Sequence, residues 1–245
     1  MRFSVVTVCL NPGRYLEETI KSVLGQDAAE LDYCLIDGGS TDGTLDTLRH
    51  FAAADPRIRW SSAPDAGIAD AMNRGVSCCQ GEIVAFLHAD DRYPDRTVLS
   101  DVRDGFAKAP HALWLTGAIR EIDARGKVVC ERPARAFSYR RLLRNNIIYH
   151  PATFVRREAF DLVGRFDTDL RYAMDYDFWL RLGKISPPIT ADRVLAEFRT
   201  HAGSLSTAHR QAALDEEYQV RLRYVRSPIG RLAHALYHAW RRQRC

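Results

Sequence analysis

No stretch of this sequence approaches the roughly eighteen consecutive apolar residues that a membrane-crossing helix needs, so an integral membrane protein is excluded. The opening run from Phe3 to Leu10 is shorter still. It is broken by Asn11-Pro12-Gly13 and has no cleavage-site pattern, so the expectation is a chain that is not exported. Cysteine is present but not in pairs that mean anything: Cys9, Cys34, Cys78, Cys79, Cys130 and Cys245 show no CxxC spacing, and several sit inside apolar runs. That pattern predicts reduced, mostly buried thiols in a cytoplasmic protein. A basic body is missing as well. The net charge is +4, yet seven arginines (Arg221, Arg223, Arg226, Arg231, Arg241, Arg242, Arg244) follow the last acid, Glu217, which leaves 4 − 7 = −3 for the rest. A nucleic-acid-binding body is not expected from such a distribution.

What is there is an alternating α/β pattern. Phe3–Leu10, Leu31–Ile36, Ile58–Trp60 and Glu82–Leu87 read as buried strands, and Tyr15–Gln26, a segment ending at Ala54 and Ile68–Cys79 read as helices between them. Ser40 or Thr41 is the expected cap of the second helix. Strands separated by helices of this length predict a mainly parallel sheet covered on both faces. Further on, a helix from Pro94 to Ala109, a strand Ala112–Ile119, a hairpin about Ala124–Lys127, and a strand Arg193–Phe198 are expected. Two helices close the chain, His209–Arg226 and one after Pro228.

The apolar run Gly81–Leu87 ends in His88-Ala89-Asp90-Asp91. Ligands of open α/β sheets bind beyond the carboxyl ends of the strands. Two adjacent carboxylates there repel one another unless a cation or a hydrogen-bonding ligand lies between them, which favours Mg²⁺ or Mn²⁺. The competing reading is an acidic turn that caps the next helix.

Strand one ending at Asn11-Pro12, DGGSTDGT at Asp37–Thr44, DAGIADAMNRG at Asp65–Gly75 and HADD at His88–Asp91, in this order and spacing, resemble the nucleotide-binding half of a family 2 glycosyltransferase with the GT-A fold. The resemblance continues to about residue 207. It implies a GT-A-like mixed, mainly parallel sheet sandwiched by helices over residues 1–207, with a nucleotide-sugar half (1–110), an acceptor half (111–207), and a C-terminal helical extension (208–245). It further implies a UDP- or GDP-type sugar donor, a divalent cation at the diphosphate, and inverting transfer to a hydroxyl of a glycan or lipid-linked acceptor of surface-polysaccharide type.

Residue roles follow from that resemblance. Asp37, at a strand end, is suited to accept from a ring N–H of the base, or else forms a turn; Asp65 is placed similarly, or else caps a helix. Thr7 and Asn11 would line the same pocket. Asp90 would face the ribose or the metal, Asp91 would bind the cation, and His201, in a segment resembling the family's Arg-x-His-x-x-Ser-x-Ser turn, would complete the metal shell opposite Asp91. His150, in Tyr149-His150-Pro151-Ala152-Thr153-Phe154, is an acceptor-side or metal-shell candidate, or a hydrogen-bonded structural histidine. In Met174-Asp175-Tyr176-Asp177, Asp175 matches the proposed base, the alternative being a helix N-cap, and Arg181 is a partner for one of the two acids. The family's usual pattern is departed from twice: His88 stands where a third carboxylate is common, and Met174 where a Glu precedes the Asp.

The last helix carries Ile229, Leu232, Ala233, Leu236, Tyr237 and Trp240 along one side and arginines along the other. This suits an anionic membrane surface, peripheral on the inner face of the plasma membrane, or packing against the main domain or a second subunit. A nucleotidyltransferase and a catalytically silent carbohydrate-binding or scaffold protein remain as alternatives. Against the first stands the lack of a basic glycine loop after strand one.

Overall fold

A computed structural model describes residues 1–27, 30–201, 203 and 209–243. Eight strands form one sheet: β1 (Phe3–Cys9), β2 (Leu31–Asp37), β3 (Ile58–Ser62), β4 (Ile83–Phe86), β5 (Trp114–Ile122), β6 (Val128–Arg132), β7 (Thr153–Arg156) and β8 (Ile189–Arg199). Their order is β3-β2-β1-β4-β7-β5-β6, with β8 also pairing with β5. The first four strands are mutually parallel; β7 runs antiparallel to β4 and β5, and β8 is parallel to β5. The sheet is therefore mixed, with its parallel half at the N-terminal end.

Alternation along the strands divides the core into two layers, as a pleat of period two requires. Val6, Val8, Cys34, Ile36, Val84 and Phe86 face one layer, whereas Val5, Tyr33, Leu35, Ile83, Ala85 and Leu87 face the other. Against the second lie α1 (Leu16–Leu24), α2 (Thr44–Ala54) and α4 (Val98–Lys108); α3 (Ile68–Cys78) and α7 (Met174–Ile185) cover the first. Gly75 of α3 lies against the Val6 side chain, so any Cβ there would displace the helix from β1. Truncating a fully buried ring such as Phe86 or Phe178 to alanine costs about 3–5 kcal/mol. Trp114 of β5 and Trp179 of α7 stack in parallel with centroids 5.5 Å apart and 1° between planes, and this joins the helix to the sheet.

Three local expectations change. The second helix starts at Thr44, not after a Ser40 or Thr41 cap: Gly43 takes φ +88°, and the Asp42 carboxylate accepts from the Thr44 backbone and hydroxyl. A six-residue helix, α6 (Glu158–Val163), was not expected, and it ends at Gly164 with φ +82°. The segment from Tyr15 opens with a single 3₁₀ turn, Gly13–Tyr15, before α1 begins. The remaining helices are α5 (Tyr139–Arg144), α8 (Arg210–Tyr224) and α9 (Pro228–Arg242). Among the described residues no helix is long and apolar enough to cross a membrane.

Candidate active site

Register sets the ends of β1, β2 and β3 level, with Cys9 opposite Asp37 and Asp37 opposite Ser62, and β4 runs parallel beside β1. The segments after these strands therefore meet along one edge. Asn11, at φ +48°, accepts from the Thr41 N–H through Oδ1 (2.8 Å), and its own N–H donates to Ser40 Oγ (2.7 Å), so the β1 end is tied to the glycine loop. Asp37 Oδ2 accepts from the Gly39 and Ser40 N–H groups and from Ser62 Oγ. Burial pushes Asp37 up, but the bonds from Ser40, Ser62 and Gly39 outweigh it and hold its pKa below the usual carboxylate range. Asp65 accepts from the Gly67 N–H at 2.9 Å, and its Oδ2 stands where a Cβ on Gly38 would be. Asp65 thus packs against Gly38, where a side chain would displace it, whereas the Asp37 carboxylate is buried among its own loop partners. Thr7 does not line this edge. It is fully buried, and its hydroxyl bonds with Leu87 O and the Tyr33 hydroxyl inside the sheet.

The acid pair lies after β4. Asp90 Oδ2 and His201 Nε2 are 3.1 Å apart, so the histidine meets Asp90 rather than standing opposite Asp91. Asp91 is buried, and its Oδ1 accepts from the Arg199 N–H at 2.9 Å. Burial, and then the charge of Asp90, pushes the Asp91 carboxyl well above its ordinary pKa, and the Arg199 N–H and charge oppose that rise. This is the repulsion that adjacent carboxylates impose. Among the described residues no three His, Cys, Asp or Glu side chains converge as a metal cage. The donors that do meet, the Asp90 carboxylate and the His201 imidazole, fit a cation that takes most of its shell from substrate phosphates, as Mg²⁺ and Mn²⁺ commonly do.

Arg199 organises the floor beneath this pair. Its Nε donates to Asp90 O (2.8 Å), its Nη1 to Asp123 O (3.2 Å) and its Nη2 to Glu18 (2.5 Å), and its guanidinium lies over the Tyr15 ring. Glu18 also pairs with Arg92, which pairs in turn with Glu197. None of this network was legible in the sequence beyond the Arg-x-His motif.

A row of rings leads from the acid pair to α7. His88 stacks on His150 (5.2 Å), and His150 contacts Phe86 (5.4 Å) and Trp179 (5.9 Å). Trp179 is one helical turn from Asp175. Among the described residues neither ring nitrogen of His150 has a hydrogen-bond partner, and the ring is held by stacking. Burial, with the neighbouring His88, pushes His150 well below its ordinary pKa; burial also lowers His88, against the charge of Asp90. Both rings are neutral at neutral pH.

Asp175 sits in the first turn of α7, but it is not the cap: the N-cap is Ala173, with no side-chain hydrogen bond. The turn leading into α7 is held from α8, where the Glu216 carboxylate accepts from the N–H groups of Arg171 (2.9 Å), Tyr172 (2.5 Å) and Ala173 (2.6 Å). A carboxylate at a helix N-terminus is favoured by the helix dipole. Asp177 is structural, bound by Arg181 Nε (2.9 Å) and the Tyr224 hydroxyl (2.8 Å). Asp175 accepts from the Tyr176 N–H (2.6 Å) and, at longer range, from Asn146 Nδ2 (3.4 Å), with the Trp179 indole also beside it. Burial pushes its pKa up to about 6, helped by the Glu217 charge and opposed by the bonds from Tyr176 and Asn146. A carboxylate tuned to that value is suited to take a proton near neutral pH. Asn146, Glu216 and Glu217 were not anticipated; two of them lie on a polar helix with no motif.

The arrangement of the sheet, the acid pair and the helix bearing Asp175 is that of a GT-A-type glycosyltransferase. The structure aligns with TarS from S. aureus in complex with UDP-GlcNAc at a TM-score of 0.74 and 18% identity, over 98% of this chain and 71% of that one. It also aligns with the mannosyltransferase PcManGT from Pyrobaculum calidifontis in complex with GDP-Man and Mn²⁺, at a TM-score of 0.71 and 21% identity over 97% and 69%. The profile of Glycosyl transferase family 2 matches residues 4–164. The chain belongs to glycosyl transferase family 2. A PGL/p-HBAD biosynthesis glycosyltransferase of Mycobacterium tuberculosis is 31% identical over 225 residues, 90% of this chain and 83% of that protein. Chondroitin synthase of Escherichia coli is 30% identical over 185 residues, 75% of this chain but 27% of that protein. The profile match ends before α7, so it includes Asp90 and Asp91 but neither Asp175 nor His201.

Proposed function

We propose that the protein transfers a sugar, with inversion, from a UDP- or GDP-sugar to a hydroxyl of a glycan or lipid-linked acceptor in surface-polysaccharide synthesis. The observation that carries this reading is the ring row His88–His150–Trp179, which sets the helix of Asp175 beside the strand end bearing Asp90 and Asp91. Asp37 or Asp65, at the ends of neighbouring strands, orients the base. Asp90, Asp91 and His201 would hold Mn²⁺ or Mg²⁺, which supplies charge stabilisation to the departing diphosphate. Asp175 accepts the proton of the attacking hydroxyl from the far side of the sugar. The His150 and His88 pair is neutral and does not compete for that proton. The UDP-GlcNAc and GDP-Man complexes of the two structural neighbours support a nucleotide-sugar donor here.

The outer face of α9 supports work at the inner face of the plasma membrane. Ile229, Leu232, Leu236 and Trp240 are exposed along it, and the helix carries no acid. Such a face suits an anionic bilayer.

Incubation with UDP- and GDP-sugars and Mn²⁺, in the presence and absence of glycan acceptors, tests the reading. Release of UDP or GDP supports it. Release of pyrophosphate from a sugar phosphate and a nucleoside triphosphate, or no turnover with any donor, overturns it.

A further inference from the structure

A cavity of about 400 Å³ opens between α5, the loop before it and α9, lined among others by Arg135, Arg141, Arg144, Asn145 and Tyr237. We infer that this cavity binds a phosphate group carried by the acceptor, an inference that rests on the transferase reading above.

The argument begins with charge. Among the described residues none of the three lining arginines pairs with a carboxylate. Arg141 reaches only the Ala136 carbonyl (3.3 Å), and Arg144 lies over the Tyr237 ring at 4.9 Å. Two further guanidiniums stand behind the wall. Arg241 donates to Asn145 Oδ1 (2.7 Å) and to Glu217 (2.9 Å). Arg221 is fully buried and gives its Nη1 to Arg144 O (2.8 Å), while its Nε and Nη2 have no partner. Arg241 and Arg221 thus share one nearby carboxylate, Glu217, and the three lining arginines bring none of their own. By contrast Arg59 pairs with Asp32, Arg92 with Glu18 and Glu197, and Arg181 with Asp177. Arg135, Arg141 and Arg144 are exposed to water, but three guanidiniums without a carboxylate partner on one concave surface favour an anion there, and the planar fork of arginine suits phosphate oxygens. A dianion answers this excess better than a monoanion.

Position ties the cavity to the reaction. Asn145 lines it, and the next residue, Asn146, touches Asp175. The helix bearing Arg141 and Arg144 is locked to the helix of Asp175 by the Tyr176 hydroxyl, which donates to Leu142 O at 2.7 Å. A phosphate held here tethers the rest of the acceptor next to the base.

The test uses the full chain with saturating UDP or GDP and Mn²⁺, so that the donor side is filled, and titrates sn-glycerol 3-phosphate by calorimetry with glycerol as the uncharged control. Saturable binding of the phosphate ester and none of glycerol is expected, weakened roughly tenfold or more in Arg135→Gln/Arg141→Gln. Those two side chains make no contact that holds the fold beyond one carbonyl, so an unchanged melting temperature accompanies the loss. Absence of saturable binding, or equal binding by the double variant, overturns the inference. So does binding to phosphatidylglycerol vesicles with none to glycerol 3-phosphate, which would put the anion on a membrane surface outside the cavity. UDP and GDP binding are measured first and the one that binds is used to fill the donor side: absence of both breaks the nucleotide-sugar reading, whereas failure of phosphate binding with the nucleotide bound breaks the cavity assignment alone.

Discussion

The main chain of Arg199 holds the side chain of Asp91, N–H to Oδ1 at 2.9 Å, while the side chain of Arg199 returns to the Asp90 carbonyl. The β8 end thereby fixes both acids at once. Arg199→Lys keeps the charge but loses the fork that reaches Asp90, Asp123 and Glu18 together. Because Glu18 is 40% exposed, a fully buried-pair penalty does not apply, and a loss of about 2 kcal/mol is expected. Urea denaturation measures it, and a higher Mn²⁺ requirement for turnover should accompany it. An unchanged midpoint would remove Arg199 from this role.

Asp175→Asn should lower transfer about 10²–10⁴-fold with donor binding retained, the range for losing a general base. In the wild type, kcat/KM should fall as pH drops through about 6, where the carboxylate takes up its proton. Full turnover by the variant would refute the assignment.

The same raised pKa has a stability consequence. A carboxyl whose pKa is higher folded than unfolded favours the fold fully below the unfolded value, near 4, and that contribution is lost as pH rises through about 6. Asp175→Asn, with no charge to bury, should therefore be more stable than wild type at pH 8, by roughly 1–3 kcal/mol, with the difference closing toward pH 4. Thermal melts across pH measure this, and a less stable variant at pH 8 contradicts it.

Glu217→Gln removes a charge that raises the Asp175 pKa and frees Arg241 to lower it further. The acid limb of the activity profile should move to lower pH, by roughly half a unit to one unit. Movement to higher pH would show that the coupling has the opposite sign.

Leu232 and Leu236 are 62% and 66% exposed on α9. Leu232→Asp/Leu236→Asp should leave the melting temperature unchanged and reduce co-sedimentation with phosphatidylglycerol vesicles roughly tenfold or more. Equal sedimentation of both proteins would leave the helix without a role at a membrane.

The parallel half of the sheet was legible because its strands are continuous apolar runs ending in turn residues, and the Asp90-Asp91 pair was legible because it ends one of them. Periodicity showed that α9 has a stripe but not which way it faces. Arg241, Arg242 and His238 bind α8 acids, and Tyr237 turns inward with them, so the apolar residues point outward. The partner of His201 could not be read, because Asp90 and Asp91 are adjacent and only the course of β8 decides between them. Thr7 misled for a similar reason: a polar residue at a strand end can bond inward to a neighbouring tyrosine. Glu216 and Glu217 were invisible, since a carboxylate that serves a distant helix looks like any other on a polar one.

Glu216 and Glu217 also mean that the tail is no appendage. The first holds the turn leading into the helix that carries Asp175, and the second adds to the rise that burial gives that acid's proton affinity, while Tyr237 walls the arginine cavity. Exchanging tails between relatives in the hope of trading acceptor preference would consequently retune the proton chemistry as well, and a chimera would inherit both properties or neither.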